Sequence, residues 1–416
     1  MTGAAYDYIV VGAGATGSVV AARLSEGGAA SVLLIEAGGR DASPVLRVPG
    51  LGFAAGTLAR YNWNFRTEPV PALNDRPLTF LQGRVMGGSG SMNGMVYSRG
   101  HSGEYDAWAG MGCTGWSFDE VKPYFLKSET NARGAGEWHG ADGPMHLRPA
   151  RPDLPICDAF LEAAGAEGEP VVEDLNANHR EGLGIYDLNI RNGRRHSAAR
   201  AFLGPAGKRA NLTIMRNAQV TGVTIKNGRA TGVRAVRKGR AVTFSASREV
   251  VLCGGAIMSP TLLMHSGIGP AEHLRDMGID VLVDAPEVGG NLQNHPCYRP
   301  QYACSHPVTA RSHVTAGGAL RAGWQYLTRA TGPLAESFAS VGGFFKSDPA
   351  LERADMQVVF LSALPPSGGA GVPRSISGMM KGGSVRFDGV HFGADLTDLG
   401  GKTFRADAGR VFRPDA

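Results

Sequence analysis

The chain has 416 residues, of which 43% are hydrophobic and 19% are charged, and this composition is typical of a folded globular protein rather than a disordered one. Its 60 glycines follow no collagen-like repeat and therefore predict many tight turns or ligand-binding loops. The formal net charge of +5 is scattered along the chain without a dense basic stripe, which argues against a nucleic-acid partner, and no apolar run is long enough for an integral membrane segment.

The spacing of the cysteines predicts whether the chain holds a metal or disulfides, and the N-terminal segment predicts its cellular location. Five cysteines, at 113, 157, 253, 297 and 304, form no C-x-x-C pair, which argues against a zinc site or a disulfide scaffold. We predict no metal site. The segment MTGAAYDYIVVGAG carries no basic residue before its apolar run, so we expect no signal peptide. Reduced thiols and the lack of a signal peptide favour a cytoplasmic protein.

The first predicted element is a buried strand, YIVV, over residues 8–11. Gly12, Gly14 and Gly17 follow as G-x-G-x-x-G, SVVAARL continues with helical spacing, and a second apolar strand ends at Glu36. The first glycine permits a tight turn, the second lets a pyrophosphate approach the backbone, and the third lets the helix pack on the strand. We therefore predict a dinucleotide site in which Glu36 binds ribose hydroxyls, which disfavours NADP. The loop alone does not decide between NAD and FAD.

A second glycine-rich stretch, GRVMGGSGSMNGMVY, covers residues 83–97. Its glycines remove side chains where a ligand must approach, and its successive N–H groups can form an anion-binding nest. Asn93 offers both a donor and an acceptor, and Arg84 offers a positive charge for a phosphate. The residues leave two interpretations equally open: a loop that holds the flat ring of a flavin, or a loop whose glycines only permit tight packing.

Further elements are predicted downstream. CDAFLEAAGAEG (157–168) predicts a short helix, and apolar alternation around Asn227-Gly228 predicts a hairpin. REVVLCGGAIMSPTLLMHSG (248–267) predicts a strand, a glycine turn and a helix. From about residue 297 the composition changes, and we predict a helix and loop within 319–345 and a strand within 355–364.

Several of these stretches resemble motifs of the glucose-methanol-choline (GMC) oxidoreductase family, in its choline dehydrogenase-like branch. GRVMGGSGSMNGMVY resembles the first family motif, and GAIMSPTLLMHSGIG (255–269) resembles the second. Other stretches occur in family order: NWNFRTEP (62–69), YSRGHSGEYDAW (97–108), GWSFDEVKPYF (115–125), RNGRRHSAARAFL (191–203), NAQVTGV (217–223) and VGGNLQNHP (288–296). The resemblance covers residues 5 to about 300 and is absent after residue 373.

The resemblance implies an α/β fold with two parts. One is a Rossmann-like FAD-binding domain, a parallel sheet with helices that is discontinuous in sequence, and the other is an incomplete antiparallel-sheet substrate cap of α+β type. We place the FAD-binding domain at 1–150 and 196–296, an insertion at 151–195, a partial cap at 297–373 and an unassigned tail at 374–416.

The resemblance also implies a cofactor and a substrate class. The cofactor is FAD, and the substrate is a small-molecule alcohol of choline-like type whose CH–OH group is oxidised with hydride passing to the flavin N5. The electron acceptor is unidentified. The implied cofactor-binding residues are Gly12, Gly14, Ala15, Thr16, Gly17, Glu36, Ala37, Arg84, Val85, Gly88, Asn93, Gly94, Met95, Val96 and Val220.

The catalytic residues stay unassigned. The family places a catalytic histidine, with a second His or Asn, in a C-terminal portion that we expect this sequence to lack. His391 is the one histidine after residue 313, and its setting matches no family pattern. Four other histidines are expected to be structural: His101, His139, His196 and His295. Two hypotheses follow, an FAD-dependent alcohol dehydrogenase or oxidase and a truncated, catalytically inactive FAD-binding protein.

Overall fold

The structure, a computed structural model, describes residues 2–56, 58–177, 181–295, 297–298, 308, 310, 313, 315–362 and 389–394. At 297–298 and 389–394 it describes the backbone alone. The predicted tail at 374–416 therefore lies outside the described residues, apart from one strand, and so does the end of the predicted cap after residue 362.

Beside three two-stranded sheets, the described part of the chain contains three larger sheets and the helices that connect them. The strands of these sheets are β1 (Thr2–Val11), β2 (Val32–Ile35), β3 (Val96–Tyr97), β4 (Glu129–Asn131), β5 (Met145–Pro149), β6 (Val171–Val172), β7 (Gly182–Ile185), β8 (Asp187–Leu188), β9 (Leu212–Met215), β10 (Ala218–Lys226), β11 (Arg229–Arg237), β12 (Arg240–Leu252), β13 (Cys297–Tyr298), β14 (Val341–Phe345), β15 (Met356–Leu361) and β16 (Gly389–Ala394). The longer helices are α1 (Ala15–Leu24), α2 (Ser102–Gly110), α3 (Phe118–Ser128), α4 (Pro155–Ala166), α5 (Gly255–Met264), α6 (Ala271–Asp276) and α7 (Ala316–Arg329).

The first sheet has six strands in the order β9-β2-β1-β12-β11-β10. β1 pairs in parallel with β2 and with β12, and β9 pairs in parallel with β2. β12, β11 and β10 form an antiparallel meander at the other side. The glycine loop after β1 therefore lies at the carboxyl end of a central strand, where open α/β sheets bind their ligands.

The apolar runs of β1 and β2 are buried on both faces of this sheet. Val10 and Leu34 pack on one face against Ala21 of α1, whereas Ile9 and Leu33 belong to the core on the opposite face, which includes α5. Because successive side chains of a strand point to opposite faces, a strand covered on both faces reads as a continuous apolar run. This explains why YIVV and VLLI lack polar alternation.

The local elements predicted downstream are confirmed. The turn between β10 and β11 has φ of 50° at Asn227 and 73° at Gly228, as the asparagine-glycine hairpin requires. The predicted strand, glycine turn and helix correspond to β12 and α5, and the predicted helix at 157–168 corresponds to α4. The helix within 319–345 is α7, which begins earlier, at Ala316, and the strand within 355–364 is β15.

The second six-stranded sheet has the order β13-β16-β15-β14-β7-β6 and is antiparallel except between β6 and β7. Two of its strands, β6 and β7, lie within 151–195, the segment predicted as an insertion. They join this sheet through the pairing of β7 with β14. A buried hydrogen bond of 2.8 Å from the Tyr186 hydroxyl to the Val358 carbonyl and a stacked pair, Phe160 with Phe360, fix this segment on the sheet. The domain boundaries themselves stay predictions.

A four-stranded sheet, in the order β3-β8-β5-β4, follows directly from the second glycine loop through β3. The predicted α/β class is confirmed: the first sheet is parallel from β9 through β12, as in a Rossmann-like fold, and the second six-stranded sheet is mostly antiparallel. Among the helices in the described residues, none is both long and apolar enough to cross a membrane.

Candidate functional site

A cavity of about 410 Å³ opens at the carboxyl ends of β1, β2 and β12. Its size lies within the usual range of small-molecule sites. It is lined by eight of the residues predicted to bind the cofactor: Gly12, Gly14, Ala15, Thr16, Glu36, Ala37, Gly88 and Val220. The structure thus brings together residues that are far apart in the chain, at the position expected for a dinucleotide.

The three glycines of the first loop have different neighbours. Gly12 has φ of +97°, and a Cβ added there would lie 2.5 Å from the Cys253 carbonyl oxygen. A Cβ on Gly17 would overlap the Gly12 carbonyl oxygen, so this glycine is needed for α1 to pack on the loop. A Cβ on Gly14 would meet nothing within 4 Å. Packing accounts for the first and third glycines, and open space of the cavity surrounds the second.

The second glycine loop lies directly against the first. The Gly87 N–H donates to the Ala13 carbonyl at 2.7 Å, and a Cβ on Gly88 would lie 2.9 Å from the Gly14 Cα. Gly87 and Gly88 both have left-handed φ values, 89° and 55°. The two loops therefore form one continuous backbone surface along the cavity.

Glu36 connects the end of β2 to the first loop. One of its carboxylate oxygens accepts the Ala13 N–H and the other accepts the Gly38 N–H, each at 2.8 Å. Burial raises the pKa of this carboxyl, while the two N–H groups and Arg84 oppose the rise. Each oxygen keeps acceptor capacity for a ribose hydroxyl, but the contacts in place also give Glu36 a structural role that the sequence did not predict.

Other predicted residues lie away from the cavity. Gly17 is packed beneath it, and Val85 is fully buried in a short parallel bridge to Gly39. The Arg84 guanidinium lies 4.9 Å from the centre of the Trp63 ring and lines an adjoining, smaller cavity. The contact of Arg84 with a phosphate stays a prediction.

Residues 93–96, predicted to lie against the flavin ring, form a turn that contacts the region of the second sheet. The Met95 N–H donates to the Asn93 side-chain oxygen at 3.1 Å, and Met95 is held at φ of +66°, a strained value for a residue with a side chain. The Ser337 hydroxyl donates to the Gly94 carbonyl at 2.7 Å. Val96 begins β3. The ring contact of these residues is untested.

Arg195 is a residue of the site that the sequence did not single out. It is 5% exposed, and its guanidinium donates to the carbonyls of Leu46 at 3.0 Å and Gly90 at 3.2 Å and to the Asn93 side chain at 2.9 Å. No described carboxylate pairs with it, and burial lowers its pKa to about 10. Arg195 therefore holds the second glycine loop from behind. Its exposed neighbour Arg194 has the same residue type, so the RNGRR pattern does not distinguish them.

The loop between β12 and α5 also lines the cavity, although none of its residues was predicted from the sequence to bind the cofactor. Its contribution to the cavity consists of Cys253, Gly254, Gly255, Met258, Ser259 and Leu262. The segment was recognised as the second family motif, but its mostly apolar side chains carry no chemical signal. Its closeness to Gly12 depends on β12 pairing beside β1, a long-range contact.

The histidines of the described residues do not line the cavity. His101 caps α2 by accepting the Gly103 N–H, and His295 is exposed. His196 is buried, and burial followed by nearby positive charges lowers its pKa to about 4. The backbone of His391 pairs with Val359 in the second sheet, and its side chain lies outside the described residues.

Three residues have atoms close enough to hold a metal ion: His139, Asp174 and Asp187. The two ring nitrogens of His139 lie 2.6 Å from Asp174 and 3.0 Å from Glu129. Burial works against a charged ring, but the hydrogen bonds to these carboxylates outweigh it and raise the pKa of His139 to about 9. A charged ring offers no lone pair to a metal, so this shift disfavours metal binding, and the predicted lack of a metal site stays a prediction.

The cavity fits one end of an FAD molecule. The N-terminus of α1 and the open space at Gly14 suit a pyrophosphate, and Glu36 lies at the end of β2, where a ribose is bound in Rossmann-type sites. Val220 and Leu262 supply an apolar wall that suits an adenine ring. The N–H groups, the carboxylate and the apolar wall therefore suit the pyrophosphate, the ribose and the adenine of an adenosine diphosphate group.

Comparison with known proteins places the chain in a family. The family described as GMC oxidoreductase matches residues 6–297. An oxygen-dependent choline dehydrogenase of Sinorhizobium medicae is 42% identical over 357 residues, which make up 85% of this chain and 64% of that protein. The chain therefore spans less than two thirds of the length of that relative. The crystal structure of pyridoxine 4-oxidase from Mesorbium loti matches with a TM-score of 0.79 at 30% identity, over 93% of this chain and 71% of that one. An FAD-dependent oxidoreductase from Chaetomium thermophilum matches with a TM-score of 0.76, also at 30% identity, over 82% of this chain and 61% of that one. As the sequence motifs predicted, the chain belongs to the GMC oxidoreductase family.

Proposed function

We propose that this protein binds FAD non-covalently and uses it to oxidise the CH–OH group of a small, choline-like alcohol. The observation that supports the cofactor is the continuous surface made by the two glycine loops, with open space at Gly14 and a buried carboxylate, Glu36, beside it. The substrate class rests on the 42% identity to an oxygen-dependent choline dehydrogenase.

The residues of the cavity have separate tasks in this proposal. The first N–H groups of α1 and the nest of the second loop bind the pyrophosphate. Glu36 accepts hydrogen bonds from the ribose, and Val220 and Leu262 enclose the adenine. FAD, when bound, supplies an acceptor for a hydride equivalent from the alcohol carbon.

The turn at residues 93–96 would orient the reactive end of the cofactor. Arg195 fixes the Asn93 side chain and the Gly90 carbonyl, so the loop shape is set before any ligand enters. The Ser337 hydroxyl donates to the Gly94 carbonyl and so ties this turn to the region of the second sheet. Alcohol oxidation also requires a base for the hydroxyl proton. The described residues that line the cavity include no histidine, and we assign the base to none of them.

The test begins with the visible absorption of the purified chain before and after addition of FAD. We expect a flavin spectrum, release of the flavin on denaturation, and anaerobic bleaching by choline or a simple alcohol. A chain that takes up no FAD contradicts the cofactor assignment. Bound flavin that no alcohol bleaches contradicts the proposed activity while leaving cofactor binding in place.

A further inference from the structure

Arg195 is a buried positive charge without a counter-ion among the described residues. All of its hydrogen bonds go to neutral acceptors, two backbone carbonyls and one side-chain amide. Its Nη2 atom is buried and has no hydrogen-bond partner in the described part of the chain. Because taking a charge out of water is costly unless another charge offsets it, such sites are uncommon. The hydrogen bonds use the donors of the guanidinium, but they leave its charge uncompensated.

The Asn93 side chain connects this charge to the exposed side of the second glycine loop. The Asn93 Oδ1 atom accepts from Arg195 Nη1 at 2.9 Å and from the Met95 N–H at 3.1 Å. Both partners are donors, so the orientation of the amide is fixed, and its Nδ2 group is left to donate elsewhere. Asn93 is exposed, and no described residue accepts from Nδ2. A donor polarised by a buried cation therefore remains for an acceptor from outside the loop.

Asn93 lies beyond the part of the site that suits adenosine diphosphate. Gly88 and Gly90 line the cavity, whereas Asn93 does not. Gly88 adjoins Gly14, where we place the pyrophosphate, since a Cβ on Gly88 would lie 2.9 Å from the Gly14 Cα. The loop from Gly88 to Asn93 therefore leads from the pyrophosphate toward the flavin ring of FAD, a placement that rests on the proposed function.

We propose that Arg195 and Asn93 stabilise the negative charge of the reduced flavin, with Arg195 supplying the opposite charge and Asn93 the hydrogen bond. Hydride transfer from the alcohol carbon brings two electrons and one proton to the cofactor, and so adds one negative charge, while the hydroxyl proton leaves to a base. A positive charge held in a low-dielectric interior stabilises a negative charge that develops nearby. A hydrogen-bond donor likewise favours the charged form of its acceptor over the neutral form.

The pyrophosphate is the other anion in FAD that a buried cation could serve. It has donors of its own in the first N–H groups of α1 and in the nest of the second loop. Arg195 contacts Gly90 and Asn93 and not the first glycine loop. The two uses differ in a measurable way, because ADP carries the pyrophosphate without the flavin.

Sulfite titration of the FAD-loaded chain measures this stabilisation without an alcohol or a catalytic base. Sulfite bonds to the flavin through its sulfur lone pair and leaves one negative charge on the ring, and the loss of flavin absorbance gives its dissociation constant. Asn93→Asp keeps the acceptor for Arg195 and Met95 but cancels the positive charge. It should raise the sulfite dissociation constant about tenfold. The same factor in the two-electron reduction constant, measured with dithionite, lowers the reduction potential by about 30 mV.

Arg194→Gln is the matched control, because it removes one positive charge from the exposed neighbour of Arg195. It should change the sulfite dissociation constant by less than about twofold, since a solvated charge is screened. Arg195→Lys keeps the buried charge and should bind sulfite more tightly than Arg195→Met does. Reduction of the parent gives a test that needs no variant: the reduced flavin should absorb as the anion at a pH at which free reduced flavin is largely neutral.

Equal sulfite dissociation constants for Asn93→Asp and the parent overturn the proposal, and so does a neutral reduced flavin in the parent. If Asn93→Asp loses as much affinity for ADP as for sulfite, the charge serves the pyrophosphate and the proposal is wrong. A parent that takes up no FAD refutes the proposed function and this proposal together. A parent that binds FAD but whose flavin no alcohol bleaches refutes the proposed activity alone, because the sulfite measurement does not depend on turnover.

Discussion

Substitution of Gly14 separates cofactor binding from folding, because this glycine borders open space rather than protein. Its φ of −68° and ψ of −163° are extended values that any residue adopts, and an added Cβ would meet no atom within 4 Å. At Gly17 an added Cβ would overlap the Gly12 carbonyl oxygen. The same chemical change, Gly→Ala, is therefore expected to have opposite consequences three residues apart.

The size of the change in the free energy of unfolding follows from the atoms around each glycine. Gly14→Ala lowers the entropy of the unfolded chain, which stabilises by about 0.4–1 kcal/mol, and weakens the N-cap of α1 by a similar amount. We expect a net change below about 1 kcal/mol in the free energy of unfolding of the cofactor-free protein. Gly17→Ala requires a backbone shift in a packed core and should cost about 3 kcal/mol or more.

The larger substitution Gly14→Val fills the open space that we propose for the pyrophosphate. At an FAD concentration 100 times its dissociation constant, the parent gains about 2.7 kcal/mol of stability from binding. Gly14→Val should lose this gain while its cofactor-free stability stays close to that of the parent.

Denaturant unfolding with and without FAD, together with the flavin content of the purified protein, measures both quantities. Gly136→Val is the control, since its Cβ also meets nothing within 4 Å and it does not line the cavity. The reasoning is refuted if Gly14→Val retains as much flavin as the parent, or if its cofactor-free form is destabilised as much as Gly17→Ala.

Two further predictions concern charged groups in the interior. Because the folded pKa of His139 is about 9, above the ordinary value of 6.5, its stabilisation is complete below pH 6.5 and is lost as the pH rises through about 9. In urea unfolding, the free energy of unfolding should fall by up to about 3 kcal/mol over that pH interval. The free energy of unfolding of His139→Gln should depend less on pH, and an identical pH dependence in the parent and the variant would contradict the charge that we assign to His139. Arg195→Met removes three hydrogen bonds from a charged donor, one of them to the buried Leu46 carbonyl, and should lower the free energy of unfolding by about 3 kcal/mol and reduce flavin retention. If Arg195→Met retains its flavin at the parent's affinity, the role of Arg195 in shaping the loop is wrong.

The parts of the fold that depend on local pattern were predictable from the sequence. Uninterrupted apolar residues at 8–11 and 32–35 predicted strands buried on both faces, and both lie at the centre of the first sheet. The asparagine-glycine pair predicted its hairpin because few other residues adopt left-handed φ at both turn positions. Gly17 was predicted to permit helix packing, and it does. In each case the physical cause acts over a few residues.

Features that depend on long-range pairing were not predictable in this way. β7 joins the second sheet by pairing with β14, more than 150 residues later, and no local pattern announces the partner. Arg195 and Cys253 reach the site for the same reason, through strands and loops that meet only in the folded chain. Arg84 has a contact that its charge did not predict, since its guanidinium lies over the Trp63 ring, and its predicted contact with a phosphate stays a prediction.

The glycines that line the cavity fall into two groups, those required by the fold and those that border open space. Most of them have a reason within the protein, because an added Cβ would meet neighbouring atoms at 3.0 Å or less or because φ is left-handed: Gly12, Gly83, Gly88, Gly254 and Gly255. Such a glycine is required for folding whether or not a ligand binds. Gly14 and Gly90 have neither constraint, and nothing in the described residues lies within 4 Å of the position of their Cβ. Open space alone does not imply a ligand, since Gly136 has the same surroundings away from the cavity. At Gly14 and Gly90 the open space belongs to the cavity, so under the proposed function these two positions are the ones where a side chain would meet the cofactor rather than the protein.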